Sequence, residues 1–285
     1  MKKIGIAMSG GGMSAVVHLG VLKALHEHGI YPEIFSGTSM GSIIAGIQAT
    51  GVSVEDIISM FYNVNKNILD PDIWGLTKSI FTGRIPTGIF KGNKIEKLIC
   101  NTTNGINIKD VEKKIAIVAS NLNGEQNVIF TNSQLLENEE RIYINDITLS
   151  KAIRASFSFP FAFKPVKFND MILVDGGVVN NCPAALCEEM GADIVIISNI
   201  MPYKDKRMEN DHALTIANKI VSLIIKEAAD DDINFLTVPT ICIPFFSLKQ
   251  VPLLSISKEN VNNSIIAGYE DTCALLESID LNLFK

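Results

Sequence analysis

The chain has 285 residues, a length that suits one α/β domain, and its 47% of hydrophobic residues can supply a substantial core. A net charge of −6 at pH 7 argues against a nucleic-acid-binding surface spread over the whole protein. The five cysteines are scattered without the spacing of zinc ligands, so we expect reduced, buried side chains and no bound metal.

The N-terminus, MKKIGIAMSGGG, contains only a short apolar run before its glycines. A secretory signal peptide needs a longer apolar stretch and a cleavage site. No run in the chain approaches the ~18 apolar residues of a membrane-spanning helix. We therefore expect a cytoplasmic protein whose contact with a membrane is at most peripheral.

The first fifty residues alternate between strand and helix. Residues 3–8 form an apolar run typical of a buried strand, and a helical spacing of apolar residues begins near Ser14 and ends at Gly29. A second short strand is expected at 34–36, followed at once by a helix to about Ala49. This order implies a parallel sheet with right-handed crossovers.

Residues 62–97 interleave apolar and basic side chains among several glycines and a proline. We expect a loop with short helices, which either covers a site or is a plain irregular surface segment. Within it, 74–97 is locally basic in an acidic protein, so we expect it to touch a lipid surface or to line an acyl channel. The basic residues of this segment include Lys78, Arg84, Lys91, Lys94 and Lys97.

The rest of the chain adds further strands and helices. Residues 115–119 and 128–130 flank an Asn-Gly pair and predict a hairpin with a longer loop. An apolar run at 171–174 stops abruptly at Asp175. The remaining expected elements are a helix from Pro183 to Met190, strands at 193–198 and 240–243, and helices at 214–229 and 259–278.

Three predicted strands end in residues that can carry chemistry. These ends are Gly10-Gly11-Gly12, Gly37-Thr38-Ser39-Met40-Gly41 and Asp175-Gly176-Gly177. Each is common by itself as a turn. Ligands of parallel α/β sheets gather at the C-terminal ends of the strands, so the three together predict a shared site.

The stretch GTSMG has the GxSxG pattern of a nucleophile elbow, in which a strained turn between strand and helix presents Ser39. The small residues Gly37 and Gly41 relieve the strain of such a turn. The amides at the start of the following helix favour developing negative charge. The glycine run beside the elbow allows backbone N–H groups to approach an oxyanion, so Ser39 is the expected nucleophile.

Asp175 is the expected base for the Ser39 hydroxyl. The order Ser39, Asp175, His212 formally matches the triad of an α/β-hydrolase, but His212 lies in a polar helix entry. Asp175 ends a strand and is followed by two glycines, which permit the close approach of another segment. It can accept the Ser39 proton directly if partial desolvation raises its basicity. The other histidines, in or at the end of the first helix, where packing or surface roles are expected, are His18, His26 and His28.

Four motifs in this order resemble those of the patatin-like phospholipase family, and they cover roughly residues 3–200. They are Gly10-Gly11-Gly12, the GTSMG elbow, ASFSFP at 155–160 and DGGVVNNCP at 175–183. The resemblance implies a three-layer α/β/α fold with a mainly parallel central sheet. Residues 201–285 are then expected to complete a single domain over 1–285.

The same resemblance implies hydrolysis of lipid acyl esters through a Ser39–Asp175 dyad, with no metal or cofactor. Matched to this chain, it assigns the oxyanion hole to the glycine loop, and it assigns a supporting role to glycines of the other motifs. The oxyanion residues are Gly10, Gly11, Gly12 and Met13, and the supporting ones are Gly37, Gly41, Gly176 and Gly177.

One stretch departs from the family's pattern. The family usually continues Gly-Gly-Gly-x-Arg/Lys-Gly, whereas this chain has Met13, Ser14 and Ala15 after its glycines. Backbone amides survive that change, so catalysis is still expected. The missing positive charge weakens the expectation of a phospholipid head group and favours a neutral or small acyl ester.

Three other functions fit parts of the sequence. A dinucleotide-binding module fits Gly10, Gly12 and Ala15 as GxGxxA, with Glu33 near the expected acidic position, but it leaves GTSMG and DGG unexplained. A non-catalytic lipid-binding or regulatory protein on the same fold is supported by Ser14 alone. Acyl transfer to an acceptor other than water uses the same acyl-enzyme as hydrolysis.

Overall fold

The computed structural model of the protein describes residues 2–83, 86–135, 139–200, 212–230, 236–249 and 251–285. Its strands are β1 Ile4–Met8, β2 Ile34–Thr38, β3 Gly88–Phe90, β4 Lys114–Asn121, β5 Gln126–Thr131, β6 Arg141–Ile144, β7 Phe161–Phe163, β8 Val166–Phe168, β9 Met171–Asp175, β10 Ile194–Ser198 and β11 Thr240–Cys242. Its α-helices are α1 Val17–Glu27, α2 Met40–Ala49, α3 Val54–Asn63, α4 Ile73–Thr82, α5 Asn93–Thr102, α6 Leu149–Ser156, α7 Ala184–Glu189, α8 Ala213–Asp230 and α9 Lys258–Ser278.

The central sheet has the strand order β11-β10-β1-β2-β4-β5-β6. From β11 to β4 every neighbouring pair is parallel, whereas β5 pairs with β4 in the antiparallel direction. The hairpin predicted at 115–130 is the β4–β5 pair. The predicted mainly parallel sheet is therefore confirmed.

Both faces of this sheet are buried. Along β1, Ile6 and Met8 belong to the larger core, which also contains residues of α1, α2 and α9. Ala7 between them belongs to a second core, formed with Leu186 and Cys187 of α7. Because successive side chains of a strand point to opposite faces, this alternation places helices on both sides and confirms the three-layer α/β/α architecture.

One edge of β4 is shared by two strands. β2 pairs with the first part of that edge, where Thr38 lies opposite Val118, and β9 pairs with the last part, where Asp175 lies opposite Ala119. β9 is antiparallel to β4, whereas β2 is parallel to it. The prediction that Asp175 stands at the end of a parallel strand is therefore wrong in direction, because β9 approaches the end of β2 from the opposite direction.

The segment predicted as a loop with short helices contains α4 and α5, each of ten residues, joined through β3. β3 pairs with β7 in a separate two-stranded sheet that the sequence did not indicate. Arg84, one of the basic residues of 74–97, lies outside the described residues. No helix within the described parts of the chain combines the length and hydropathy that crossing a bilayer requires.

The C-terminal part packs against the beginning of the chain. β11 adds to the sheet beside β10, and α9 lies against α1. A Cβ on Gly20 would collide with the carbonyl oxygen of Ile265, and a Cβ on Gly268 would collide with the carbonyl oxygen of Val17. The two helix backbones therefore approach closely only because both positions are glycine.

We predict that Gly268→Ala destabilises the protein, although helix propensity alone would make alanine more favourable by about 1 kcal/mol. The added methyl group must push α9 away from α1, and overpacking of this kind costs about 1–3 kcal/mol. Urea denaturation measures the change. The exposed Glu270→Ala on the same helix is the control and should alter stability by less than about 0.5 kcal/mol. A Gly268→Ala protein more stable than wild type would show that the helices do not touch here.

Candidate active site

Ser39 stands at the turn between β2 and α2. Its backbone has φ 54° and ψ −124°, a conformation that residues other than glycine rarely adopt and that stores strain. A Cβ on Gly41 would collide with the carbonyl oxygen of Met8, and a Cβ on Gly37 would lie 2.8 Å from the carbonyl carbon of Gly41. Close backbone packing therefore requires both glycines, as expected for the GxSxG pattern.

Hydrogen bonds hold this turn in place. The Ser39 amide donates to the Ser156 Oγ at 2.9 Å, and the Ser39 carbonyl oxygen accepts from the Ser42 hydroxyl at 2.6 Å. The Thr38 hydroxyl donates to the Asn180 carbonyl oxygen at 2.8 Å. Nothing in the sequence indicates these roles of Ser156 and Ser42, apart from the position of Ser156 within ASFSFP.

The structure brings Asp175 and Ser39 to one cavity, which both side chains line. Asp175 is the last residue of β9 and lies beside the end of β2. A Cβ on Gly176 would collide with the carbonyl oxygen of Val118, so the glycine after Asp175 lets the chain turn tightly against β4. A Cβ on Gly177 would lie 3.0 Å from Oδ1 of Asn181, another cavity-lining residue.

Asp175 is buried, with 1% of its surface exposed. Its Oδ1 accepts a hydrogen bond from the Gly177 amide at 2.8 Å, whereas its buried Oδ2 has no hydrogen-bond partner among the described residues. Burial raises the pKa of this carboxyl to about 6, while the nearby Ser39 hydroxyl and the Gly177 amide act in the opposite direction. At pH 7 the group is an ionised carboxylate that is more basic than an exposed one.

The glycine loop after β1 lies against both residues. The Gly10 amide donates to the Asn181 carbonyl oxygen at 3.2 Å, and the Met13 amide donates to the Leu253 carbonyl oxygen at 3.1 Å. The amides of Gly11 and Gly12 have no acceptor within the described chain. Of the four expected oxyanion residues, these two carry N–H groups that are available to a ligand.

Ser14 connects the glycine loop to a distant segment. Its Oγ accepts a hydrogen bond from the Val251 amide at 3.0 Å, and Val251 and Leu253 both line the cavity. The residue that replaces the family's basic side chain therefore fixes part of the cavity wall. No local pattern in the sequence could have indicated this contact, because the partner lies in the C-terminal part of the chain.

The histidines do not line this cavity in the part of the chain that the structure describes. His18 is fully buried; its Nδ1 contacts the Ser198 Oγ at 2.7 Å and its Nε2 contacts the Ser9 carbonyl oxygen at 2.9 Å. Burial lowers the pKa of His18 to about 4, so it is a neutral packing residue, as expected. His212 is exposed just before α8.

The cavity has a volume of about 440 Å³. Apart from Asp175, no charged side chain lines it among the described residues. Its apolar wall consists of Ile89, Phe159, Phe161, Ala162, Ile200, Ile225, Val251 and Leu253. This lining suits a hydrocarbon chain, and its volume lies within the range of small-molecule sites. Across the described chain, no group of three or more His, Cys, Asp or Glu side chains could hold a metal ion.

Comparison with known sequences identifies relatives over most of the chain. The sequence model of the family described as patatin-like phospholipase matches residues 6–187. An uncharacterized protein of Acanthamoeba polyphaga mimivirus is 32% identical over 193 residues, which are 65% of this chain and 61% of that protein. The lysophospholipase NTE1 of Candida albicans is 27% identical over 208 residues, 73% of this chain but only 14% of the longer protein.

Solved structures share the fold at low identity. VipD of Legionella pneumophila superimposes with a TM-score of 0.52 and 16% identity, covering 97% of this chain and 67% of VipD. Human GIVD cytosolic phospholipase A2 in complex with methyl gamma-linolenyl fluorophosphonate gives 0.53 and 12% identity, covering 99% of this chain and 58% of that chain. These likenesses support the three-layer architecture.

We predict that Asp175→Asn stabilises the folded protein above pH 6. In the wild type, the unfolded carboxyl loses its proton near the ordinary value of 3.8, whereas the folded one keeps it until about 6. Stability therefore falls as pH rises between these values, and the variant lacks this loss, which is up to about 3 kcal/mol. Urea denaturation at pH 4 and pH 7.5 should show a gain only at the higher pH. A variant that is less stable than wild type at pH 7.5 would contradict the buried charge.

Proposed function

The chain belongs to the patatin-like phospholipase family, and we propose that it is a serine acyl hydrolase that cleaves lipid carboxylic esters, with Ser39 as nucleophile and Asp175 as base. One observation carries the proposal. A serine on a strained turn and a buried carboxylate with a raised pKa face the same apolar cavity, without a histidine among its described lining residues. Such a pair needs no third member to transfer a proton.

In the proposed reaction, the Ser39 Oγ attacks the acyl carbonyl carbon while Asp175 takes the hydroxyl proton on its unpartnered Oδ2. The amides of Gly11 and Gly12 stabilise the negative charge on the former carbonyl oxygen. Asp175 then returns the proton to the departing alcohol, and the acyl group remains on Ser39. Water, activated by the same carboxylate, releases the acid and restores the serine.

The proposed substrate is an ester with a hydrocarbon acyl chain. The uncharged wall of the cavity can bury such a chain, and each buried CH₂ group contributes about 0.8 kcal/mol. Ser14 supplies no cation next to the glycine loop, so this site favours the acyl portion over a phosphate. The names of two relatives, a lysophospholipase and a phospholipase A2, support a lipid ester as the substrate class.

The alternative functions have less support. A dinucleotide-binding module leaves the strained Ser39 and the buried Asp175 unexplained. A non-catalytic lipid-binding role does not explain why Asp175 is buried beside a strained serine. Acyl transfer differs from hydrolysis only in the final acceptor, so product analysis with an added alcohol distinguishes the two.

We also propose that the surface around the cavity mouth contacts lipid. Within the basic segment 74–97, α4 carries two exposed aromatic residues: Trp74 is 76% exposed and Phe81 is 88% exposed. The Asp72 amide donates to the carbonyl oxygen of Ile89 at 2.8 Å, so the start of α4 lies beside a residue of the cavity wall. On α8, Ile225 lines the cavity, and the same helix presents an exposed apolar face formed by Ile216, Ile220, Leu223 and Ile224.

We predict that Ser39→Ala and Asp175→Asn each lower kcat/KM for p-nitrophenyl butyrate by at least about 10³-fold, because the nucleophile and its base act as a unit. His212→Ala is the control and should remain near the wild-type value. A fluorophosphonate probe should label Ser39 and no other residue. An inactive His212→Ala protein together with an active Asp175→Asn protein would replace the dyad with a triad.

We predict that replacing Trp74 and Phe81 together with serine lowers partitioning onto phosphatidylcholine vesicles at least about tenfold, because two large apolar side chains lose their burial. Co-sedimentation measures the bound fraction. Turnover of p-nitrophenyl acetate, a soluble ester, should be unchanged. Tyr31→Ser removes an exposed aromatic ring outside α4 and α8 and is the matched control. Equal vesicle binding by the double variant and the control would contradict lipid contact through α4.

A further inference from the structure

A second pocket, with a volume of about 380 Å³, lies outside the catalytic cavity. Five basic side chains and a single carboxylate are among its described lining residues. The basic residues are Lys91, Lys151, Arg154, Lys164 and Lys167, and the carboxylate belongs to Glu96. In a protein with a net charge of −6, this is a local concentration of positive charge.

Arg154 is a buried cation of this pocket, with only 3% of its surface exposed. Its guanidinium donates to the Ser158 Oγ at 2.6 Å and to the backbone carbonyl oxygens of Lys91 and Lys164. Its Cζ also lies over the ring of Phe157, 5.1 Å from the ring centroid. No carboxylate in the described chain forms a contact ion pair with it, although Glu96 and Asp70 are near enough to interact with its charge.

The lysines around Arg154 are also incompletely neutralised. Lys91 and Lys164 share one carboxylate, that of Asp72, which is almost fully buried. Lys151 and Lys167 form no ion pair with any residue that the structure describes. The five cations therefore face three carboxylates, those of Glu96, Asp72 and Asp70, which leaves an excess of two positive charges. The ammonium groups of the lysines supply N–H donors suited to an oxyanion.

We propose that this pocket binds a phosphate group. Lysine recognises phosphate as a point charge with N–H donors, and the buried Arg154 adds a further positive charge. A ligand with two negative charges would offset the excess of two that remains after Glu96, Asp72 and Asp70 are counted. The phosphate has two sources with the same chemistry, a free phosphate or phosphate ester and the head group of an anionic lipid. The inference does not rest on the proposed hydrolysis, because binding requires no turnover.

The pocket lies close to the catalytic cavity along the small β3–β7 sheet. On β3, Ile89 lines the cavity and Lys91 follows two residues later; after β7, Lys164 follows the cavity-lining Ala162 by two residues. A lipid head group held in the pocket would therefore keep an anionic surface next to the cavity mouth.

Binding is tested with the full chain carrying Ser39→Ala, so that no lipid is consumed. The probes are inorganic phosphate, followed by calorimetry, and phosphatidylcholine vesicles with or without phosphatidic acid, followed by co-sedimentation. Lys151→Gln with Lys167→Gln removes two cations that have no ion-pair partner and should weaken binding at least about tenfold. Lys66→Gln with Lys258→Gln changes the net charge equally at exposed positions outside the pocket and should leave binding unchanged.

Glu96→Gln provides a test of opposite sign, because it removes the carboxylate that lines the pocket and should tighten binding several-fold. Binding of inorganic phosphate that the pocket variant loses identifies a soluble ligand. Binding only to vesicles that contain phosphatidic acid, with the same loss, identifies a lipid head group. Absence of binding to both probes, or equal losses in the pocket and control variants, overturns the proposal.

Discussion

The candidate site depends on the pairing of two strands with one edge of β4. β2 occupies the first part of that edge and β9 the last part, and they run in opposite directions. Their ends therefore face each other, which brings Ser39 and Asp175 together although they are far apart in the chain. Backbone hydrogen bonds of the sheet, rather than contacts between the two side chains, determine this proximity. The glycines at 41 and 176 permit it, because any side chain there would collide with a carbonyl oxygen.

This arrangement lowers stability at the same two positions where it supports chemistry. Ser39 is held in a strained backbone conformation, and Asp175 is ionised without full solvation. The surrounding structure offsets both costs through the hydrogen bonds of Ser156, Ser42 and the Gly177 amide, together with the buried sheet. Strain and desolvation concentrated at one point are typical of a functional site rather than of a structural turn.

Two environments that differ in charge lie along the β3–β7 sheet. The cavity has an apolar wall that includes Ile89 and Phe161, whereas the pocket beyond the ends of the two strands is lined by Lys91, Lys164 and the buried Arg154. A lipid ester also has two such parts, a hydrocarbon chain and a polar head group. The two proposals, acyl hydrolysis and phosphate binding, therefore concern neighbouring surfaces with complementary preferences.

The sequence alone determined the elements whose signals are local. The alternation of strand and helix over the first fifty residues, the hairpin, GTSMG and the Asp175 strand end could be predicted, because each depends on residues adjacent in the chain. Tertiary structure decided the direction of β9, the pairing of β3 with β7 and the residues of the basic pocket. It also decided that the Met13 amide donates its hydrogen bond to Leu253 and is not available to an oxyanion. These features arise from pairings between distant segments, and the partner of a backbone N–H group or of an edge strand leaves no periodic pattern in the sequence.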